Sequence, residues 1–139
     1  MINRVLDLQT FTVRQAMKPL EQAVAITAET PVSTALALCR ERQLTRLPVW
    51  ESRDGRQRIS GMLALSTLLY QPALDAAKPV GDYVKPALFL DEDQRLEVAL
   101  RRLQRSGERL AIVLGRERRE IGILSLQDVL GIIFGELNL

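Results

Sequence analysis

Histidine is absent from this 139-residue chain, and cysteine occurs once, at Cys39. The first absence removes His-dependent acid–base catalysis, His-ligated zinc and a histidine pH switch; the second removes internal disulfides and thiolate metal clusters. Aromatic residues make up only 4% of the chain. No apolar run reaches the roughly 18 residues that a membrane-spanning helix requires, and no signal peptide opens the sequence. A glycine-rich phosphate loop of the Walker or Rossmann kind is also missing. The two signs of charge nearly balance: 19 basic against 17 acidic residues leave a net +2, which argues against a dedicated nucleic-acid binder. The acids Asp91, Glu92 and Asp93 precede a helical pattern, where negative charge suits the macrodipole, so they read as structural. The arginines thicken at Arg101, Arg102, Arg105 and Arg109 and again at Arg116, Arg118 and Arg119, read as a solvated helix face and a charged hairpin tip. No catalytic constellation is visible, and the chain is not expected to be an enzyme.

What the chain has instead is a repeat. Val13-Arg14-Gln15-Ala16-Met17-Lys18-Pro19 returns as Val80-Gly81-Asp82-Tyr83-Val84-Lys85-Pro86. Each copy is followed by a short extended run, an amphipathic helical pattern, a β-like run and a glycine-led strand that turns into another helix. Val32, Ala35, Leu36 and Cys39 have the i, i+3, i+4, i+7 spacing of one helix face, and Leu96, Ala99, Leu100 and Leu103 repeat it 64 positions later. Cys39 thereby reads as a small core residue. A fixed-order repeat implies two similar units related by a pseudo-twofold axis. Each half, near 60 residues, is marginal alone, so the halves are expected to share a core.

The first copy starts, after a short Ile2–Leu8 helix, with a Thr12-capped turn, Val13–Met17, that Pro19 stops. Val24-Ala25-Ile26 is extended, and Pro31 suits the first turn of the following helix. Leu47–Trp50 reads as a strand in which Pro48 suggests an edge or ligand-lined position. Asp54-Gly55 marks a hairpin turn before the return strand Ile59–Leu63, and Leu65–Tyr70 closes the copy as a helix. The second copy matches with Leu88–Leu90, Leu110–Leu114, Ile121–Leu124 and a last helix, Leu126–Phe134. The apolar stripe of that helix (Val129, Leu130, Ile132, Ile133, Phe134) is covered either by the core or by a second subunit, and partial burial by a partner is the favoured reading.

One segment carries possible chemistry: Gly122-Ile123-Leu124-Ser125-Leu126-Gln127-Asp128. Ser125 and Asp128 read first as a helix cap with an acid in the first turn. A carboxylate at a strand-to-helix junction also accepts hydrogen bonds from both vicinal hydroxyls of a ribose, and Ser125 adds a hydroxyl. The two readings are compatible. The first copy has Gly61-Met62-Leu63-Ala64-Leu65-Ser66-Thr67, with Ala64 and Thr67 where the second has Ser125 and Asp128, which suggests one competent and one degenerate cleft.

With these elements the chain resembles a tandem pair of cystathionine-β-synthase (CBS) domains, a Bateman module. The likeness rests on the doubled V-x-x-x-[MV]-K-P element, on Thr45-Arg46-Leu47-Pro48-Val49, and on the G-h-h-[ST]-x-x-D signature at Gly122–Asp128. The lead-in Val5–Met17 resembles the entry to the CBS pair of CorC/CNNM-type (hemolysin C-like) proteins associated with magnesium and cobalt transport. The resemblance implies an α+β fold of two repeats, each a small three-stranded sheet with two helices. It divides the chain into a lead-in at 1–12, a first repeat at 13–71, a linker at 72–79 and a second repeat at 80–139. It implies an adenine nucleotide ligand (ATP, ADP or AMP, ATP favoured, with or without Mg) in the cleft between repeats. By position, Ser125 and Asp128 stand at the ribose, Ile123 is a further nucleotide-binding residue, and Val24, Leu44, Thr45, Leu47 and Pro48 shape the base pocket. Arg46 and Arg109, taken as matching places in the two repeats, are candidate phosphate partners. The implied partners are a second copy in a homodimer and the membrane domain of a parent transporter, with the module on the cytoplasmic side of an inner membrane. The charged hairpin Gly115–Glu120 departs from the family's glycine-rich one. The alternative is a structural dimerisation module in which Ser125 and Asp128 only cap a helix.

Overall fold

The computed structural model describes residues 11–137, the last three by backbone alone; the expected Ile2–Leu8 helix lies outside the described residues. In chain order the elements are α1 (Val13–Ala16), β1 (Lys18–Pro19), β2 (Ile26–Thr27), α2 (Val32–Arg42), β3 (Arg46–Arg53), β4 (Arg56–Ala64), α3 (Leu65–Leu69), β5 (Leu88–Asp91), α4 (Leu96–Ser106), β6 (Leu110–Leu114), β7 (Glu120–Ser125) and α5 (Leu126–Leu137), with single 3₁₀ turns at Leu20–Gln22, Val80–Tyr83 and Arg116–Arg118. This is a mixed α+β chain with two small sheets, ordered β1-β7-β6-β5 and β2-β3-β4. One sheet has the three strands expected; the other gains a fourth because Lys18 and Pro19 pair with Ile123 and Gly122.

The chain divides into two compact units, and these are not the two sequence copies. Unit 1 comprises residues 1–23 and 88–139, and unit 2 comprises residues 24–87. The opening element of each copy therefore belongs to the unit built on the other copy. Backbone hydrogen bonds hold it there. In unit 1, Val13 N–H donates to the Gln94 carbonyl (2.8 Å), Arg14 N–H to Glu92 (3.0 Å), and Leu96 N–H to Phe11 (2.8 Å). In unit 2, Val80 N–H donates to Thr30 (2.9 Å), Gly81 N–H to Ala28 (3.0 Å), and Val32 N–H to Lys78 (2.8 Å). The two sets match bond for bond. Residues 76 and 78 receive the first free N–H groups of α2, so the expected linker is stitched to a helix start whose donors would otherwise be unpaired.

The cores match as well. Unit 1 buries Val13, Leu90, Leu96, Ala99, Leu103, Ala111, Val113, Leu124 and Val129. Unit 2 buries Val80, Ile26, Val32, Ala35, Cys39, Leu47, Val49, Leu63 and Leu68 at the corresponding places. Cys39 is a core residue as expected, and burial pushes its thiol pKa up, away from reactivity. Of the α5 stripe, Val129 is buried and Ile132 and Ile133 pack on the unit 1 core, whereas Phe134 is 63% exposed.

The structure corrects one local expectation and fills in two others. Pro48 lies in β3, the central strand of its sheet, not at an edge. It stands opposite Met62, whose own N–H and C=O are both used by Lys85, so Pro48 occupies a non-hydrogen-bonded position toward β4 and its missing N–H costs no bond there. Two of the acids before α4, Glu92 and Asp93, also have a charged partner. The Arg14 guanidinium donates from Nε to Glu92 at 2.8 Å and from an Nη to Asp93, and the hydrogen bond to Glu92, then that to Asp93, raises the Arg14 pKa. The expected Asp54-Gly55 turn is present, with φ of 50° and 76°, the left-handed pair of a two-residue hairpin.

Gly61 and Gly122 are glycine because a backbone lies on them. A Cβ on Gly122 would stand 2.6 Å from the Lys18 carbonyl oxygen and 2.7 Å from Met17 Sδ, and one on Gly61 would meet the Lys85 carbonyl and Val84 Cγ1. The αL positions that end α2 and α4 are also equivalent, but one holds Gly107 and the other Gln43 (φ 54°). Gly122→Ala is expected to destabilise the chain by about 1–3 kcal/mol through overpacking, whereas Gln43→Gly is expected to stabilise it by about 0.5–1 kcal/mol by relieving the left-handed residue. Urea unfolding midpoints of the two variants check both signs.

Candidate functional site

β7 ends at Ser125 and α5 begins at Leu126, so the backbone must turn from extended to helical between two adjacent residues. The corner is held from two sides. Leu126 N–H donates to the Arg109 carbonyl at 2.8 Å, and Asp128 N–H donates to Ser125 Oγ at 2.9 Å. The second bond is the helix cap anticipated from the sequence. A serine hydroxyl that accepts one bond still has its own proton to donate. The Asp128 side chain is 25% exposed, and Lys18 Nζ lies 3.8 Å from its Oδ1. That separation is an ion pair but longer than a hydrogen bond, so the carboxylate lone pairs remain available as acceptors.

Unit 2 repeats the frame without the chemistry. Leu65 N–H donates to the Thr45 carbonyl at 2.8 Å, the counterpart of Leu126 on Arg109. Ala64 sits at the cap with no side-chain bond to give, and Thr67 replaces the acid. The helix that follows is five residues long, against twelve for α5.

The structure places the sequence-derived residues in two groups. Ser125, Asp128, half-buried Ile123 and exposed Arg109 belong to unit 1; Val24, Leu44, Thr45, Arg46, Leu47 and Pro48 belong to unit 2. Val24 and Leu44 pack partly on the unit 2 core, Pro48 is buried, and Arg46 Nη1 donates to Thr45 Oγ1 at 3.3 Å. Leu47 has no exposed surface and is committed to that core. The pairing of Arg46 with Arg109 as matching places is wrong. Arg46 is registered with Ala64 and Leu110 with Ser125, so the counterpart of Arg46 is Leu110, and Arg109 answers Thr45. Lys18 was missed as a neighbour of the acid. Its signal was the doubled K-P element, whose register against the glycine-led strand is invisible in one dimension. Among the described residues no group of three His, Cys, Asp or Glu side chains is placed to hold a metal ion, and no helix is long and apolar enough to cross a membrane.

Two glycine-led strands, each crossed by a K-P element and each running into a helix, define a tandem CBS architecture. The CBS domain pattern matches residues 13–73 and 80–135, and the chain belongs to that family. Several relatives and solved structures are similar to it. A putative DUF21 domain-containing chloroplast protein of Arabidopsis thaliana is 32% identical over 139 residues, which span 99% of this chain and 21% of that protein. The magnesium and cobalt efflux protein CorC of Escherichia coli is 25% identical over 139 residues, 99% of this chain and 47% of that protein. The chain thus spans a fifth to about half of these relatives. Among solved structures, the CBS domain of a bacterial CNNM/CorC family Mg²⁺ transporter in complex with ATP superposes with a TM-score of 0.84 at 30% identity, covering 95% of this chain and 93% of that one. CBSX2 in complex with AMP gives a TM-score of 0.76 at 26% identity, covering 90% and 97%.

If Ser125 is a working cap, Ser125→Ala lowers stability by about 1 kcal/mol, and the converse change Ala64→Ser raises it by up to about 1 kcal/mol. Thermal unfolding of the two variants beside the unmodified chain tests this; equal midpoints for all three would show that the corner does not depend on the hydroxyl.

Proposed function

We propose that this CBS pair senses an adenine nucleotide, ATP foremost, and regulates a divalent-cation transport domain in its parent protein. The observation that carries the reading is the Ser125–Asp128 corner: a hydroxyl with a proton to donate and a carboxylate with open lone pairs, at a strand-to-helix junction, in one unit and not in the other. The ribose hydroxyls donate to Asp128, with Ser125 and Ile123 beside them. Val24, Leu44, Thr45 and Pro48 are the proposed base-side residues, with Leu47 contributing through its backbone and Arg46 near Thr45. Arg109 is a proposed phosphate-side residue at the unit 1 corner, although its counterpart in the other unit is Thr45 and not Arg46. The ATP and AMP complexes of its structural neighbours support an adenine ligand, and the likeness to CorC supports the transport setting. Regulation follows from differential binding: the nucleotide shifts the attached domain only to the extent that it binds one conformation more tightly than another. No covalent chemistry is involved in this scheme. The module faces the cytoplasm in the proposal, and a second copy is the proposed cover for exposed Phe134, Leu69 and Tyr70.

The hydrogen bond from Asp128 N–H to Ser125 favours one rival, a dimerisation scaffold in which the motif only caps α5. Calorimetric titration with ATP, ADP and AMP, each with and without Mg²⁺, separates the two. One site per chain is expected, with affinity reduced about tenfold to over a hundredfold in Asp128→Ala, the equivalent of roughly 1.5–3 kcal/mol for bonds to a charged group. Folded, ligand-free protein that binds none of the three would leave only the scaffold.

A further inference from the structure

A carboxylate that receives a ribose also repels the phosphates attached to it. Asp128 alone would therefore favour a neutral nucleoside over its phosphorylated form. Lys18 changes that balance: its ammonium lies 3.8 Å from Asp128 Oδ1, close enough to neutralise the acid and too far to occupy its lone pairs. The Lys18 side chain is 59% exposed and carries four methylene groups, so its ammonium can leave the acid for a second anion nearby. The backbone, by contrast, is fixed. Lys18 is registered with Ile123 on β7, and its carbonyl rests on Gly122. The other unit isolates the conjunction. Lys85 bridges Met62 at the equivalent register, but the nearby helix offers Thr67 where α5 offers Asp128, so lysine, carboxylate and capping hydroxyl come together in unit 1 alone.

We propose that Lys18 is the phosphate-reading residue of this corner, so that Asp128 selects a ribose and Lys18 selects a phosphorylated one. This rests on the nucleotide reading above. It makes affinity for the phosphate part of the ligand a property of the lead-in strand.

The test is calorimetry with two probes, ATP and adenosine, at fixed Mg²⁺ and at two NaCl concentrations, on the unmodified chain, Lys18→Met and Lys18→Arg. Lys18→Met should weaken ATP by about tenfold or more, as expected for loss of one charge-assisted contact. It should leave adenosine unchanged or bound more tightly, and should flatten the salt dependence of ATP binding. Lys18→Arg should keep most of the ATP preference. Thermal unfolding of each variant reports that it is folded; if Lys18→Met fails that check, Lys18→Gln is read by the same criteria. A parallel fall of ATP and adenosine would make Lys18 merely structural and overturn the proposal, as would unchanged ATP binding. An unmodified chain that binds neither probe would overturn the nucleotide reading itself, an outcome distinct from failure of the Lys18 assignment.

Discussion

The exchange of opening segments is the constraint on which the rest depends. Each glycine-led strand is incomplete without a K-P element laid across it, and in both units that element comes from the other copy of the repeat. The exchange is enforced by polar accounting. The first N–H groups of α2 and α4 have no partners within their helices, and Lys78 and Phe11 supply the carbonyls for Val32 and Leu96. Once these bonds form, Val13 and Val80 are drawn into their cores with no exposed surface. Burial of one valine contributes about 1.5–3 kcal/mol. The Arg14 contacts with Glu92 and Asp93 add a charged tie on one side only, since its counterpart is Gly81, close against the Ala28 backbone.

The site grows out of the same frame. Because Gly122 admits the Lys18 backbone, the lysine side chain starts near the end of β7, one turn of helix from Asp128. The cap places Ser125, the following turn places Asp128, and the crossing strand places the cation. None of the three was positioned for a ligand alone. At the corner itself the two copies differ by Ala64 for Ser125 and Thr67 for Asp128, while nine core positions are apolar in both. The change in chemistry needed no change in scaffold.

Much of this was readable in one dimension because it depends on local spacing. The helical stripe at Val32–Cys39 and Leu96–Leu103, the Asp54-Gly55 hairpin and the serine before α5 are all set by residues within a few positions of one another. What escaped depended on which strands meet. Pro48 looked like an edge residue because a proline's cost is judged by its missing donor, and only the register shows that no β4 partner required it. Arg109 looked like the mate of Arg46 because both follow a helix by a few residues, and only the pairing of Leu110 with Ser125 exposes the one-residue difference. The acids at Asp91–Asp93 fit a dipole rule of their own neighbourhood, while Arg14, the partner of Glu92 and Asp93, stood about 80 positions away.

The exchanged segments also bear on how such a chain arises and drifts. A single copy, standing alone, has a bare glycine strand and an opening segment to cover one; it completes itself by folding back or by trading segments with a second chain. A tandem chain with crossed segments is the second solution made covalent, a strand-swapped pair fused end to end. Neither half can then be discarded without uncovering the other. Change in one copy's opening segment is screened by the strand of its sibling, so the two halves must drift as partners even where their chemistry has parted.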